Sequence, residues 1–170
     1  MSKELWLLRH AKSDRNAKTE DISRPLKKRG KRDAKNMGVW LREQDLSPDV
    51  ILCSPAKRAF DTANFIFNGD DDIEDERMIV LNENLYESSI ETLKSVLASY
   101  EETVQTILLI GHNPEFENFL VHLLGGDALP STEKLFPTCT LFRLSLDHAW
   151  KDLQPNSAKL VSVTYPRSID

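Results

Sequence analysis

The chain is short of several things that would have set its class. Cysteine occurs twice in 170 residues, at Cys53 and Cys139. Two cannot build a disulfide framework, and neither stands in a CxxC or Cys/His cluster of zinc-site spacing. No apolar run approaches the roughly 20 residues that span a bilayer, and the first residues lack an apolar stretch of signal-peptide length. A reducing, cytoplasmic setting is the expectation. Positive charge is also the minority, with 22 Lys and Arg against 27 Asp and Glu and a formal net charge of −5. Nucleic acid and membrane surfaces are polyanionic, so neither is expected as a partner. That balance still leaves room for a small basic pocket. There is no P-loop, no GxGxxG, no cysteine-phosphatase signature, no internal repeat and no low-complexity segment.

What is present is a globular composition, 40% hydrophobic and 29% charged. The length fits a single domain over residues 1–170 with a core of useful size. Continuous apolar runs at Leu5–Leu8, Asp49–Cys53 ("DVILC") and Thr106–Gly111 ("TILLIG") predict strands buried on both faces. Met78–Leu81 predicts a third strand in chain order, at an edge. Two more are expected around Thr140–Leu146 and Leu160–Tyr165. Between the strands, apolar residues recur at helical spacing: Ala34, Met37, Gly38 and Leu41 after Pro25; Ala56 to Phe67; Ile90, Leu93, Val96, Leu97 and Tyr100; Phe116, Phe119, Leu120 and Leu123. Gly125-Gly126 should end the last of these. The acidic stretch Asn68–Arg77 reads as a solvated loop. Alternating strands and helices predict an α/β, three-layer sandwich with a mostly parallel central sheet flanked by helices. The last two strands lack a long helix between them, so one of them is expected to run antiparallel.

In such sheets, ligands sit beyond the carboxyl ends of the strands. The residues leaving the strands are therefore the candidates. The first strand ends in Arg9-His10. The second ends in Ser54-Pro55 and leads to Arg58 in the next helix. The fourth ends in Gly111-His112-Asn113-Pro114. Two arginines and two histidines at one sheet edge would repel one another in an empty pocket, and an anion resolves that conflict. His122 and His148 have no such context and read as structural. Cys53 reads as packing.

Beyond these residues, "LLRHAKS" (Leu7–Ser13), "RPLKKRG" (Arg24–Gly30), "SPAKRAFDTA" (Ser54–Ala63), "LYESS" (Leu85–Ser89), "GHNPEFE" (Gly111–Glu117) and "FPTCTLF" (Phe136–Phe142) occur in order. Together they resemble the histidine phosphatase superfamily and, within it, the SixA-like phosphohistidine phosphatases. The resemblance implies a phosphoglycerate mutase-like fold. It also implies metal-independent phosphoryl transfer through a phosphohistidine on His10, with no cofactor. Arg9, Arg58 and His112 would hold the phosphoryl oxygens, and Asn113 could add a backbone N–H. The family's acidic proton donor varies; Glu87 is the nearest positional match, with Glu83 as the alternative. The pattern departs from the family at Ala11, where RHG is usual, and at Lys27, where threonine is common. Covering insertions of the larger mutases are absent. The implied substrate is a phosphorylated protein or a small phosphate compound. A non-catalytic phosphate-recognition module, or a small-molecule phosphatase or mutase, are the competing readings. Oligomeric state is not legible.

Overall fold

A computed structural model describes residues 3–69, 77–130 and 134–166. Most of the acidic stretch at Asn68–Arg77 falls outside the described residues. Six strands form one sheet: β1 (Lys3–Arg9), β2 (Val50–Cys53), β3 (Ile79–Leu81), β4 (Thr106–Gly111), β5 (Leu141–Leu146) and β6 (Ala158–Thr164), in the order β3-β2-β4-β1-β5-β6. β1 to β4 are mutually parallel. β5 runs antiparallel to both β1 and β6, so β5 is the one reversed strand. β3 lies at an edge, with Val80 and Leu81 exposed.

Burial follows the strand class. Leu5–Leu8 of β1 and Ile107–Gly111 of β4 are buried continuously, because helices cover both faces. β6, at the other edge, alternates. The first face carries α3 (Ile90–Ala98) and α4 (Glu115–Leu124), which bring Leu93, Leu97, Phe116, Phe119 and Leu123 onto Leu5, Leu7 and Leu109. Side chains of this kind contribute about 1.5–3 kcal/mol each when fully buried. The second face carries α1 (Lys28–Glu43) and α2 (Lys57–Phe67), packed on Trp6, Leu8, Ile51 and Ile110. Gly38 sets the α1–α2 spacing: a Cβ there would lie 2.3 Å from the Ile66 carbonyl oxygen.

The helix ends follow local chemistry. Ser89 caps α3 by accepting the Thr92 N–H at 3.1 Å. Gly125, at φ 79°, closes α4. α3 stops at Ala98, so Tyr100 packs from the following turn rather than from the helix. α1 starts at Lys28, three residues after Pro25. Lys27 is its N-cap residue and makes no side-chain cap bond. Among the described residues no helix is long and apolar enough to cross a membrane.

Candidate active site

The parallel strands deliver Arg9 and His10 from the end of β1, Ser54 from the end of β2, and His112 and Asn113 from the end of β4. Arg58 comes from the first turn of α2. The two histidine rings lie 5.2 Å apart between centroids, tilted by 55°. The charges of both Arg9 and Arg58 act on both rings. His10, Arg58, His112 and Ser54 are buried.

The protonation of His10 follows from its partner. Nδ1 is 2.8 Å from the Ala11 carbonyl oxygen. A carbonyl only accepts, so Nδ1 carries the proton and Nε2 keeps the lone pair. Burial first, then the charges of His112, Arg58 and Arg9, push the His10 pKa down to about 3, against a rise from the Ala11 bond. His112 is lowered to about 4, mainly by burial and then by Arg58. Both rings are neutral at pH 7. The cationic conflict expected from sequence is thus smaller than two arginines plus two imidazoliums.

The rest of the conflict is met by a residue the sequence did not flag. Asp21, in a short 3-10 turn (Asp21–Ser23), accepts from Arg58 twice: Nη1 to its carbonyl oxygen at 2.7 Å, and Nη2 to Oδ2 at 3.0 Å. The Tyr86 hydroxyl donates to the same Oδ2 at 2.6 Å. These bonds, Tyr86 first, hold the Asp21 carboxyl below its ordinary pKa. Tyr86 in turn meets the His112 ring edge-on at 5.5 Å. Asp21 lies in a polar loop without periodicity. The only available hint for Tyr86 was its place in "LYESS".

Arg9 is held differently. Its Nη1 donates to the Phe136 carbonyl at 3.0 Å, and the Asn113 side-chain amide donates to the same oxygen at 3.0 Å. The Cys139 N–H donates to the carbonyls of both Arg9 and His10, at 3.0 and 3.1 Å. Asn113 therefore uses its side chain to tie the β4 end to the segment before β5. The peptide bond from Asn113 to Pro114 is cis.

Ser54 accepts the Ala56 N–H at 3.2 Å, and its hydroxyl lies 2.7 Å from His112 Nε2. Three buried nitrogens of this group have no hydrogen-bond partner among the described residues: Arg9 Nε, Arg58 Nε and His112 Nδ1.

Glu87 is exposed, at φ 55°, and its charge acts on Tyr86. Glu83 is exposed at the start of a 3-10 turn (Glu83–Leu85). His122 is part-buried on α4, near Lys94 and Glu91, and His148 is exposed. Burial raises the pKa of both cysteine thiols well above the ordinary range, so neither is a thiolate at pH 7.

Residues 5–105 match the model of the histidine phosphatase superfamily (branch 1). An uncharacterized protein of Mycobacterium tuberculosis (strain H37Rv) is 33% identical over 166 residues, covering 94% of this chain and all of the relative. A candidate phosphohistidine phosphatase SixA from Nakamurella multipartitia superposes with a TM-score of 0.79 at 29% identity, over 98% of this chain and 97% of that one. The protein histidine phosphatase SixA complexed with tungstate superposes with a TM-score of 0.78 at 21% identity, over 98% and 99%.

Proposed function

This chain belongs to the histidine phosphatase superfamily, and from that premise we propose that it is a metal-independent phosphatase that forms a phosphohistidine on His10. The substrate class we favour is phosphohistidine, in line with its SixA neighbours. The observation that carries the reading is the set of three unpartnered buried donors, Arg9 Nε, Arg58 Nε and His112 Nδ1, around a neutral histidine. Buried N–H groups are otherwise nearly always paired. A tetrahedral oxyanion offers each of them an acceptor.

In the first step His10 Nε2 attacks phosphorus along the line opposite the leaving group. The P–Nε2 bond forms as the bond to the leaving group breaks. Nδ1 stays bonded to Ala11 O, which stabilises the charge the ring gains. Arg9 and Arg58 hold the equatorial oxygens. His112 Nε2 lies 2.7 Å from the Ser54 hydroxyl; with Nε2 accepting the Ser54 proton, the His112 ring proton rests on Nδ1, which donates a hydrogen bond to a phosphoryl oxygen and keeps its proton. Water then attacks phosphorus, the P–Nε2 bond breaks, and orthophosphate leaves. An alkoxide leaving group needs a proton, for which Glu87 is the proposed donor. A phosphohistidine substrate needs less help, because imidazole is the better leaving group.

The test is acid-quench labelling during turnover, with a hydrolysis panel of phosphohistidine protein, phosphoserine peptide and aryl phosphate, each with and without EDTA. An acid-labile adduct on His10 and turnover that survives EDTA are expected. A label elsewhere, or loss with EDTA reversed by a divalent ion, would overturn the mechanism. A protein that binds oxyanions yet hydrolyses nothing would be the recognition module instead.

A further inference from the structure

Next to the site, and sharing Arg9 with it, is a pocket of about 560 Å³. Lys12, Arg15, Arg29 and Lys134 line it with Arg9, and Asp33 is the one acid among the described lining residues. In a chain of net charge −5, that concentration of cations is local. The pocket's floor and the site share a wall: Pro137 and Thr138 follow Phe136, whose carbonyl holds Arg9 and Asn113, and the Thr140 carbonyl faces the Arg9 N–H at 3.4 Å.

The backbone holds these cations together against their repulsion. The Lys12 carbonyl accepts the Lys27 N–H at 2.9 Å, and Ser13 bridges Leu26. Gly30 allows this approach, since a Cβ there would lie 2.2 Å from the Lys12 carbonyl oxygen. Arg29, one residue before that contact, is thereby fixed beside Lys12. Lys27, Lys28 and Arg29 open α1, whose first turn holds no acidic residue. Helix starts ordinarily favour acids, because the dipole is positive there. Lys12 feels the strain: partial burial first, then the charges of Arg15, Lys27, Arg29 and Lys134, lower its pKa. Asp33 offsets part of the charge, facing Arg29 at 4.0 Å. None of the proposed chemistry at His10 uses Lys12, Arg15, Arg29 or Lys134.

We propose that this pocket receives a second anionic group, a phosphate or carboxylate, on the same substrate whose phosphoryl group is transferred to His10. The inference rests on the phosphatase reading for its second half only. Arg9, common to both cavities, aligns the two anions. Substrates with one isolated phosphate are then poor ones, and discrimination comes from charge placed away from the reacting bond.

The test reads binding and turnover separately. Calorimetry would compare methylphosphonate with a series of α,ω-alkane bisphosphonates of increasing span, for the wild type and for the Arg15→Ala/Arg29→Ala double variant. Both substituted side chains are exposed, and thermal melting would check that the variant folds. At least one span should bind tenfold or more tightly than methylphosphonate, and the double variant should lose most of that ratio. Turnover would compare a small bisphosphate and a phosphopeptide rich in Asp and Glu with 4-nitrophenyl phosphate. Whichever gains most in kcat/KM identifies the source of the second anion. If no span outbinds methylphosphonate, or the variant weakens all probes alike, the pocket is not an anion site. Bisphosphonate preference without hydrolysis of anything would sink the phosphatase reading alone. Hydrolysis without preference would sink this inference alone.

Discussion

Arg58 and Arg9 both act on His10, yet they are anchored in different ways. Arg58 meets a carboxylate: Asp21 takes two of its N–H groups, and Tyr86 braces Asp21. Arg9 meets a neutral carbonyl, that of Phe136, and stands at the edge of a field of further cations. Among the described residues, one arginine thus has a carboxylate within ion-pair distance, while the other feels a carboxylate, Glu117, only without direct contact. Pairing fixes geometry at the cost of field strength. An Arg9 held by a carbonyl rather than a contacting carboxylate keeps more of its field for an incoming anion. The sheet explains the division. The Arg58 flank belongs to the parallel half, where helices and loops after strands bring side chains. The Arg9 flank abuts β5, the reversed strand, whose lead-in segment offers backbone groups.

The largest effect should come from the group common to both flanks. His10→Ala should lower kcat for 4-nitrophenyl phosphate by roughly 10³-fold or more, as loss of a nucleophile does elsewhere, while orthophosphate still binds by calorimetry. Full turnover in that variant would remove the proposed nucleophile and make the comparison of its neighbours moot.

The next effect separates the flanks. Arg58→Ala and Arg9→Ala should each cost about 10²–10³ in kcat/KM, the scale for losing one preorganised donor. Arg9→Ala should also reduce the salt dependence of kcat/KM for a multiply charged substrate more than Arg58→Ala does, because Arg9 is the cation that also lines the basic pocket. Equal salt sensitivity in the two variants would show that the flanks do not differ in kind.

The pH profile gives a smaller, signed effect. With His10 lowered from 6.5 to about 3, its neutral form persists well below pH 6.5. The acid limb of kcat/KM for an aryl phosphate should show no fall attributable to His10 near pH 6.5. Stability should behave otherwise. Above pH 6.5 both histidines are neutral in native and unfolded chains, and their contribution is complete. As pH falls from 6.5 toward about 4 and then 3, the unfolded chain takes up protons that the native one refuses, and stability declines. Denaturant midpoints at pH 7 and pH 5 would measure the decline, which His10→Ala should reduce.

Asp21→Asn should do least. Asp21 is more than half exposed, at 54% for its side chain, and exposed ion pairs are worth about 0–1 kcal/mol. A melting shift of a few degrees at most is expected, with a change in kcat/KM of about tenfold or less. A loss matching Arg58→Ala would mean that Arg58 works only when clamped.

Sequence and structure agree best where apolar runs are continuous. Thr106–Gly111 matches β4 residue for residue, because a strand buried on both faces admits nothing polar until it ends. Arg9, His10 and His112 were legible for the same reason: each is the polar break in such a run. Arg58 was legible through its helix start. Asp21 and the Phe136 carbonyl were not. A loop aspartate has no period to betray it, and a backbone acceptor has no letter. The anchors of the arginines are tertiary, at separations of 37 and 127 residues. Lys27 was visible as a departure from the resembled family pattern, and its place beside Lys12 came only with Gly30 set against the Lys12 carbonyl.

The Cys139 amide has a further use. Its single proton is shared between the carbonyls of Arg9 and His10, on a residue at φ 54° whose side chain is wholly buried. In deuterated solvent that proton leaves only when the segment before β5 lifts from the end of β1. Its exchange time is therefore a clock for one local opening, readable without substrate or dye. A tightly bound oxyanion that engages Arg9 should slow the clock, and one held by Arg58 alone should leave it running at its former rate.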